Sequence, residues 1–399
     1  MQTYNFDEII DRRGTGALKT DALSERFGRP DLIPLWVADM DFRTLDVILE
    51  AIRKQCDCGV LGYTVKYPGY DDALVRWMAR KHQWTIQPEW ISFLPGVVKG
   101  IAFCVTHFTK PGDKIIIQPP VYHPFRMVPE QLGRTIVNNP LKETGGIYRM
   151  DLQHLRSIID NECKMLILCN PHNPVGICWD KDTLRELAEI CAEHHLPVVS
   201  DEIHADLTLF KHTHLPFATV SEAARENSIT LMAPSKTFNM AGVVSSFCII
   251  PKPEIRESFF QYLRATELDE MHIFAGAATV AAYTQGEEWL RRMLAYVERN
   301  ILFVQAFLQQ HLPVIKAIIP QASFLIWLDC RALKLSQKAL VSLFVDKAGL
   351  ALNDGRMFGP GGEGFMRLNV GCPQSLIREA LERLEKHVPT DGGRQPTAS

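Results

Sequence analysis

A chain of 399 residues that is 46% hydrophobic and 22% charged has apolar material for more than one sizeable core. Its formal charge of -3 gives no electrostatic footing for nucleic acid or an anionic membrane. No run approaches the roughly 18 apolar residues of a membrane span, and the first residues carry neither the basic nor the apolar region of a signal peptide.

The chain is therefore read as cytoplasmic, which the ten cysteines fit: Cys104, Cys169, Cys191 and Cys248 sit in apolar surroundings, as reduced core thiols do. Cys56-Asp57-Cys58 has no second pair at ligand spacing, and His194-His195 and His212-Thr213-His214 form no ligand pattern, so no metal is predicted.

In chain order, Asp11-Arg12-Arg13-Gly14-Thr15-Gly16 reads as a turn and Leu35-Trp36-Val37-Ala38-Asp39-Met40-Asp41-Phe42 as an extended segment. Thr44 is placed to cap a helix running to about Cys58, with Leu45, Ile48, Leu49 and Ile52 at helical spacing. A loop, Gly62-Tyr63-Thr64, precedes a second helix opened by Pro68-Gly69-Tyr70 and ending near His82. Residues 90–94 form a strand that turns through Pro95-Gly96-Val97-Val98-Lys99-Gly100 into an apolar helix. Free N–H groups and the positive dipole end there suit a phosphate, through the backbone of Gly96, Val97 and Val98.

Three further apolar strands end in polar residues. Residues 165–169 run into Asn170-Pro171-His172-Asn173-Pro174-Val175-Gly176, residues 197–200 into Asp201-Glu202-Ile203-His204, and residues 229–232 into Ala233-Pro234-Ser235-Lys236-Thr237-Phe238-Asn239. An amphipathic helix over 182–195 connects the first two as a crossover between parallel strands. In such a sheet, ligands bind beyond the carboxyl ends of the strands, so Asn173, Asp201 and Lys236 should converge. Taken alone, Lys236 on a loop would be solvated surface. Taken together, an amine, a carboxylate and an amide are what pyridoxal phosphate needs at its aldehyde, ring nitrogen and ring oxygen.

Residues 243–250 read as another strand, followed by helical material through about Gln310 with a break at Gly286. Residues 323–329 and 365–370 read as strands, 337–348 and 375–387 as helices, Gly359-Pro360-Gly361-Gly362-Glu363-Gly364 as a mobile loop, and 391–399 as a frayed tail. Arg367, flanked by apolar residues in a strand, needs a partner; a substrate carboxylate and a structural ion pair are both open.

These motifs, from about Asp11 to about His387, resemble the fold-type I pyridoxal-phosphate enzymes of the aspartate aminotransferase superfamily, and within it the cystathionine β-lyase (cysteine-S-conjugate β-lyase, maltose-regulon-modulator-like) branch. The resemblance implies an α/β fold: a large domain with a mostly parallel sheet flanked by helices, about residues 46–290, and a smaller α/β domain from both termini, with an arm over 1–45 and a C-terminal part over 291–399. It implies Ala38 beside the substrate carboxylate, or else a docking strand there. Tyr122 would stack on the ring, or be structural, and Arg367 would grip the carboxylate. Tyr63 would reach the phosphate of the other subunit in a homodimer with shared sites. His204 stands where many superfamily members have a tyrosine, near the ring oxygen or the carboxylate.

On this reading Lys236 takes the α-proton, Asp201 keeps the ring nitrogen protonated, Asn173 holds the ring oxygen and Ser235 assists the phosphate. Two departures from the common aminotransferase pattern point to the lyase branch: Ala233 in place of a serine, and Val244 in place of a phosphate-binding arginine. The expected reaction is β-elimination from cystathionine or another cysteine S-conjugate, giving a thiol, pyruvate and ammonia. The alternatives are an aminotransferase, and a regulatory binding protein acting through a protein surface, since members of the resembled branch can bind a transcription activator.

Overall fold

The computed structural model describes residues 4–388, so the tail expected over 391–399 lies outside the described residues. Seven strands form one sheet: β1 (Ile91–Leu94), β2 (Lys114–Ile117), β3 (Thr135–Asn138), β4 (Cys163–Cys169), β5 (Val198–Asp201), β6 (Ser228–Met232) and β7 (Ser246–Ile249). Their order is β1-β7-β6-β5-β4-β2-β3. Only β7 runs against its neighbours, so β1, β4, β5 and β6 all point their carboxyl ends the same way.

Helix α1 spans Asp46–Asp57 and α2 spans Tyr70–His82. Thr44 is not the cap of α1: Leu45 occupies that position without a side-chain hydrogen bond, and the Thr44 hydroxyl donates instead to Asn239 O at 2.8 Å. A long-range backbone acceptor has won over the local one.

The period-two alternation of the strands sorts the core into two faces. Ile115, Ile117, Met165, Ile167, Val199, Ile229 and Leu231 pack with Ile101 and Val105 of α3 (Val97–Phe108). On the other face Ile116, Leu166, Leu168 and Val198 pack with Leu184 and Leu187 of α4 (Lys181–Glu193). Both faces are covered, which is why these strands read as continuous apolar runs.

A second, all-antiparallel sheet comprises β8 (Lys316–Ile318), β9 (Leu325–Asp329), β10 (Asn353–Asp354) and β11 (Phe365–Asn369) in the order β8-β9-β11-β10. Trp327 of β9 stacks on Phe365 at 5.0 Å and packs into the α4 side of the core, joining the two sheets. The expected long strand over 243–250 is shorter. Ala241–Val243 is a single 3-10 turn, and Val244 takes a left-handed conformation (φ 55°) that delays the strand to Ser246. The helical stretch after β7 breaks at Gly286 as expected, and also between Ala265 and Ile273. The glycine-rich loop expected to be mobile is packed down: Cβ atoms built at Gly359 and Gly361 would each sit 3.3 Å from Pro119 or Pro120.

The N-terminal arm is not one extended strand. Ile33–Pro34 pairs with Leu350–Ala351, and residues 35–42 then form a strap held by side chains. Asn239 Nδ2 donates to Phe42 O at 2.6 Å, and its Oδ1 accepts from Met40 N at 3.0 Å. Asn369 Nδ2 donates to Val37 O and Asp39 O at 2.6 and 2.7 Å. The fully buried Lys19 ammonium lies 2.7 Å from Asp41 Oδ2, and Arg12 bridges Asp39 and Asp41 at 2.7 and 3.0 Å.

Gly176 anchors the loop after β4 to the segment leading into β9, its carbonyl accepting from Gln321 N and Ala322 N at 2.7 and 3.1 Å. Its φ is +71°, and a Cβ there would lie 2.4 Å from Pro320 Cβ and 2.9 Å from Pro320 Cα. Gly176→Ala is expected to destabilise the chain by about 2 kcal/mol or more, read as a lower denaturation midpoint in urea at unchanged slope.

Candidate active site

Register places Cys169 opposite Asp201 and Asp201 opposite Leu231, so the segments that follow β4, β5 and β6 leave the sheet side by side. They open on a cavity of 330 Å³ lined by Asn173, Asp201, His204, Ser235, Lys236 and, from β1 and α3, Gly96, Val97 and Val98. Tyr122 and Ala38 also stand on its walls, whereas the predicted Arg367 and Tyr63 do not.

Lys236 does not sit on an open loop. It belongs to a helical turn, α5 (Pro234–Thr237), started by Pro234 at the first position, where its missing N–H costs nothing. The turn is fixed from behind: Thr237 Oγ1 donates to Asp206 Oδ2 at 2.8 Å, and Asp206 Oδ1 also meets Trp77 Nε1 at 3.0 Å and His82 Nε2 at 2.8 Å, both from α2.

The Lys236 ammonium donates to the strap carbonyl Ala38 O and, among the described residues, has no carboxylate in contact. Burial pushes its pKa down to about 8, with Asp39 and Asp201 pulling up and Arg367 and Lys19 pulling down. Asp201 moves the opposite way. Burial raises it to about 7, against an N–H from Ile203 at 3.1 Å. His204 is held neutral, its pKa lowered to about 3 by burial and by the cations Lys236 and Arg367. Its Nδ1 is buried without a hydrogen-bond partner among the described residues.

Arg367, in β11, does not line this cavity but borders it through Asn173, whose Oδ1 accepts from Nη1 at 3.1 Å. Nη2 donates to Asn353 Oδ1 at 2.7 Å and Trp36 O at 3.1 Å, and the guanidinium lies 4.9 Å from the Phe358 ring centroid. These partners are neutral. Among the described residues the buried cation has no structural ion pair and its Nε has no partner, and burial lowers its pKa to about 10. Tyr63 stands apart from the cavity on its own chain, fully exposed in a loop that also exposes Val60, Leu61 and Val65.

The structure adds wall residues that sequence reasoning did not single out as site residues: Lys99, Cys169, Ile203, Ala241 and Ser245. Cys169 is the last residue of β4 and could have been found from strand phase. Ser246, just beyond the wall, accepts from Gly96 N at 2.9 Å and fixes the start of α3.

The model of the family described as aminotransferase class I and II matches residues 30–384. The chain belongs to that family. Among its relatives, cystathionine beta-lyase PatB of Bacillus subtilis (strain 168) is 44% identical, over 96% of this chain and 99% of that protein. The crystal structure of cystalysin from Treponema denticola, which contains a pyridoxal 5'-phosphate cofactor, superposes with a TM-score of 0.93 at 38% identity, over 97% of this chain and 99% of that one. The PLP-bound C-S lyase from Staphylococcus hominis gives a TM-score of 0.91 at 32% identity, over 97% and 98%. The expected α/β fold is thus that of this family's solved structures.

The opposed shifts of Asp201 and Lys236 make a stability prediction for the cofactor-free chain. Asp201 keeps its proton in the folded state up to about pH 7, whereas the unfolded carboxyl loses it near 3.8. Folding stability therefore falls as pH rises between those values and levels off above. Asp201→Asn keeps the acceptor for Ile203 N and removes this cost. Its advantage over the parent chain should be near zero at pH 4 and grow to at most about 4 kcal/mol at pH 7, measured by chemical denaturation.

Proposed function

We propose that the chain is a pyridoxal-phosphate-dependent carbon-sulfur β-lyase that cleaves cystathionine or a related cysteine S-conjugate to a thiol, pyruvate and ammonia. The observation that carries the reading is the pairing, in one cavity, of a buried amine brought down to about 8 with a buried carboxyl raised to about 7. Elimination is preferred to amino-group transfer because the relatives at 44% and 31% identity are cystathionine beta-lyases, whereas the aspartate aminotransferases of Pyrococcus are only 25% and 26% identical.

The residues fit the cofactor. An amine held only by a backbone carbonyl is available to its aldehyde, and the start of α3 offers free N–H groups to a phosphate. His204, which lines the same cavity, has a buried Nδ1 without a hydrogen-bond partner among the described residues, a polar atom still to be satisfied. When bound, pyridoxal phosphate supplies an electron sink that makes the α-proton of an attached amino acid acidic.

The protein's own part is proton handling and binding. Lys236 Nζ, near 8, is neutral often enough at neutral pH to accept the α-proton, and its tether through Thr237 and Asp206 keeps it aimed. Asp201 lies deep in the site as a carboxylate partner for a protonated ring nitrogen, a charge that would offset the burial now raising its pKa. Asn173 Nδ2 is free for the ring oxygen while Oδ1 stays on Arg367. Arg367, with its unused Nε and only neutral partners, takes the substrate carboxylate. Ser235 and the backbone N–H groups of Val97 and Val98 serve the phosphate, and Tyr122 the ring face; the expected Gly96 N–H is not available for it, because it donates to Ser246 Oγ at 2.9 Å.

The same reading divides the chain into a cofactor domain over 46–290 and a smaller domain over 291–399 with the arm. It is supported by a large sheet complete within 91–249 and a second within 316–369. It also makes the protein a homodimer: Val60, Leu61, Tyr63 and Val65 are 64% exposed or more, an apolar loop that a second copy would cover while Tyr63 enters the partner's site. Sedimentation at twice the chain mass supports this, and a monomer overturns it.

The deciding experiment gives the purified chain L-cystathionine and follows pyruvate and free thiol, beside Lys236→Ala. Equal release of both, lost in the variant, is expected. Keto acid appearing only with an added amino acceptor would replace the lyase by an aminotransferase. In Arg367→Lys the planar fork is lost, so KM should rise about tenfold or more with a smaller change in kcat, measured by initial rates of pyruvate formation.

A further inference from the structure

Lys99 is placed against elementary electrostatics. It is the third residue of α3, where the helix dipole presents its positive end and a cation is disfavoured. The first turn holds no acidic residue to offset it. Among the described residues Lys99 makes no ion pair or hydrogen bond, although its side chain curls back over the turn, with Cδ 4.0 Å from a Cβ built at Gly96. It lines the cavity that His204 also lines, and the buried Nδ1 of that histidine has no hydrogen-bond partner among the described residues.

The charge inventory of that wall sharpens the point. The side-chain ammoniums lining the cavity are Lys99 and Lys236, and Lys236 is the amine that the aldehyde requires. At the α3 end the remaining neighbours are neutral: Val97, Val98, Ser235, Ser245 and Val244, whose left-handed backbone adds a cavity wall but no charge. Gly96 N is already committed to Ser246 Oγ. A phosphate dianion there would meet the remaining first-turn N–H groups and would still lack a cation.

We propose that Lys99 is the cation that pairs with the cofactor phosphate at the α3 end of the cavity, doing from the helix start what an arginine at position 244 would otherwise do. The inference rests on the cofactor reading above and adds to it a residue and a role. An anion also removes the strain of a lysine at a helix N-terminus, so the bound state repays what the empty one costs.

The test compares pyridoxal 5'-phosphate with pyridoxal, which lacks the phosphate, as ligands of the full chain and of Lys99→Met, with affinities read from the visible absorbance of the lysine-bound cofactor. The preference for the phosphorylated form is expected to fall about tenfold in Lys99→Met, to lose part of its salt dependence, and to be largely restored in Lys99→Arg. Without cofactor, Lys99→Met should melt no lower than the parent chain; with pyridoxal 5'-phosphate it should melt lower. An unchanged preference in Lys99→Met overturns the proposal while leaving the cofactor assignment standing. A parent chain that binds neither compound overturns both.

Discussion

Everything at this site follows from burying ionisable groups without pairing them to one another. Lys236, Asp201 and Arg367 are each removed from water, and among the described residues none has an opposite charge in hydrogen-bond contact. Burial of that kind is costly, and the cost appears as three shifts toward the neutral form. The sheet tolerates it because β4, β5 and β6 are covered on both faces, so the strand ends cannot move apart to admit solvent. What is a defect for stability is a set of open valences for a ligand that carries a phosphate, a basic nitrogen and an aldehyde.

The same logic explains the work done around the site. Asp206 spends its carboxylate on Thr237, Trp77 and His82 and thereby fixes the turn that carries Lys236. These contacts outweigh the upward push of burial on its pKa, so Asp206 stays ionised where Asp201 does not. Two aspartates five residues apart are thus shifted in opposite directions, Asp201 up because burial dominates and Asp206 down because its hydrogen bonds and the neighbouring His82 outweigh burial. On the other side the strap lends the carbonyls Trp36 O and Ala38 O to Arg367 and Lys236.

Much of this was legible in the sequence because it depends on strand ends. Asn173, Asp201 and Lys236 each follow an apolar run, and parallel pairing brings such positions together whatever the helices do. Arg367 was legible as a buried cation in need of a partner. The form of the strap was not, since its order comes from Asn239, Asn369, Lys19 and Arg12, all distant in sequence. Thr44 failed as a cap for the same reason: its hydroxyl found Asn239 O rather than its own helix. Lys99 could have been noticed from its place at a helix start, but its lack of a carboxylate partner is a fact of three dimensions.

The strap also bears on the order in which the chain can assemble. Residues 35–42 leave the ribosome early, yet their fastenings come from Asn239, 197 residues after Phe42, and from Asn369, 332 residues after Val37. The parallel sheet can close around β4, β5 and β6 well before then, but the roof over Lys236 must wait for β11, the last strand among the described residues. Contacts of such high sequence separation carry the loop-closure entropy late in folding. A nascent chain therefore has its cavity walls long before it has a working site, and the amine stays uncovered until the C-terminal strand arrives.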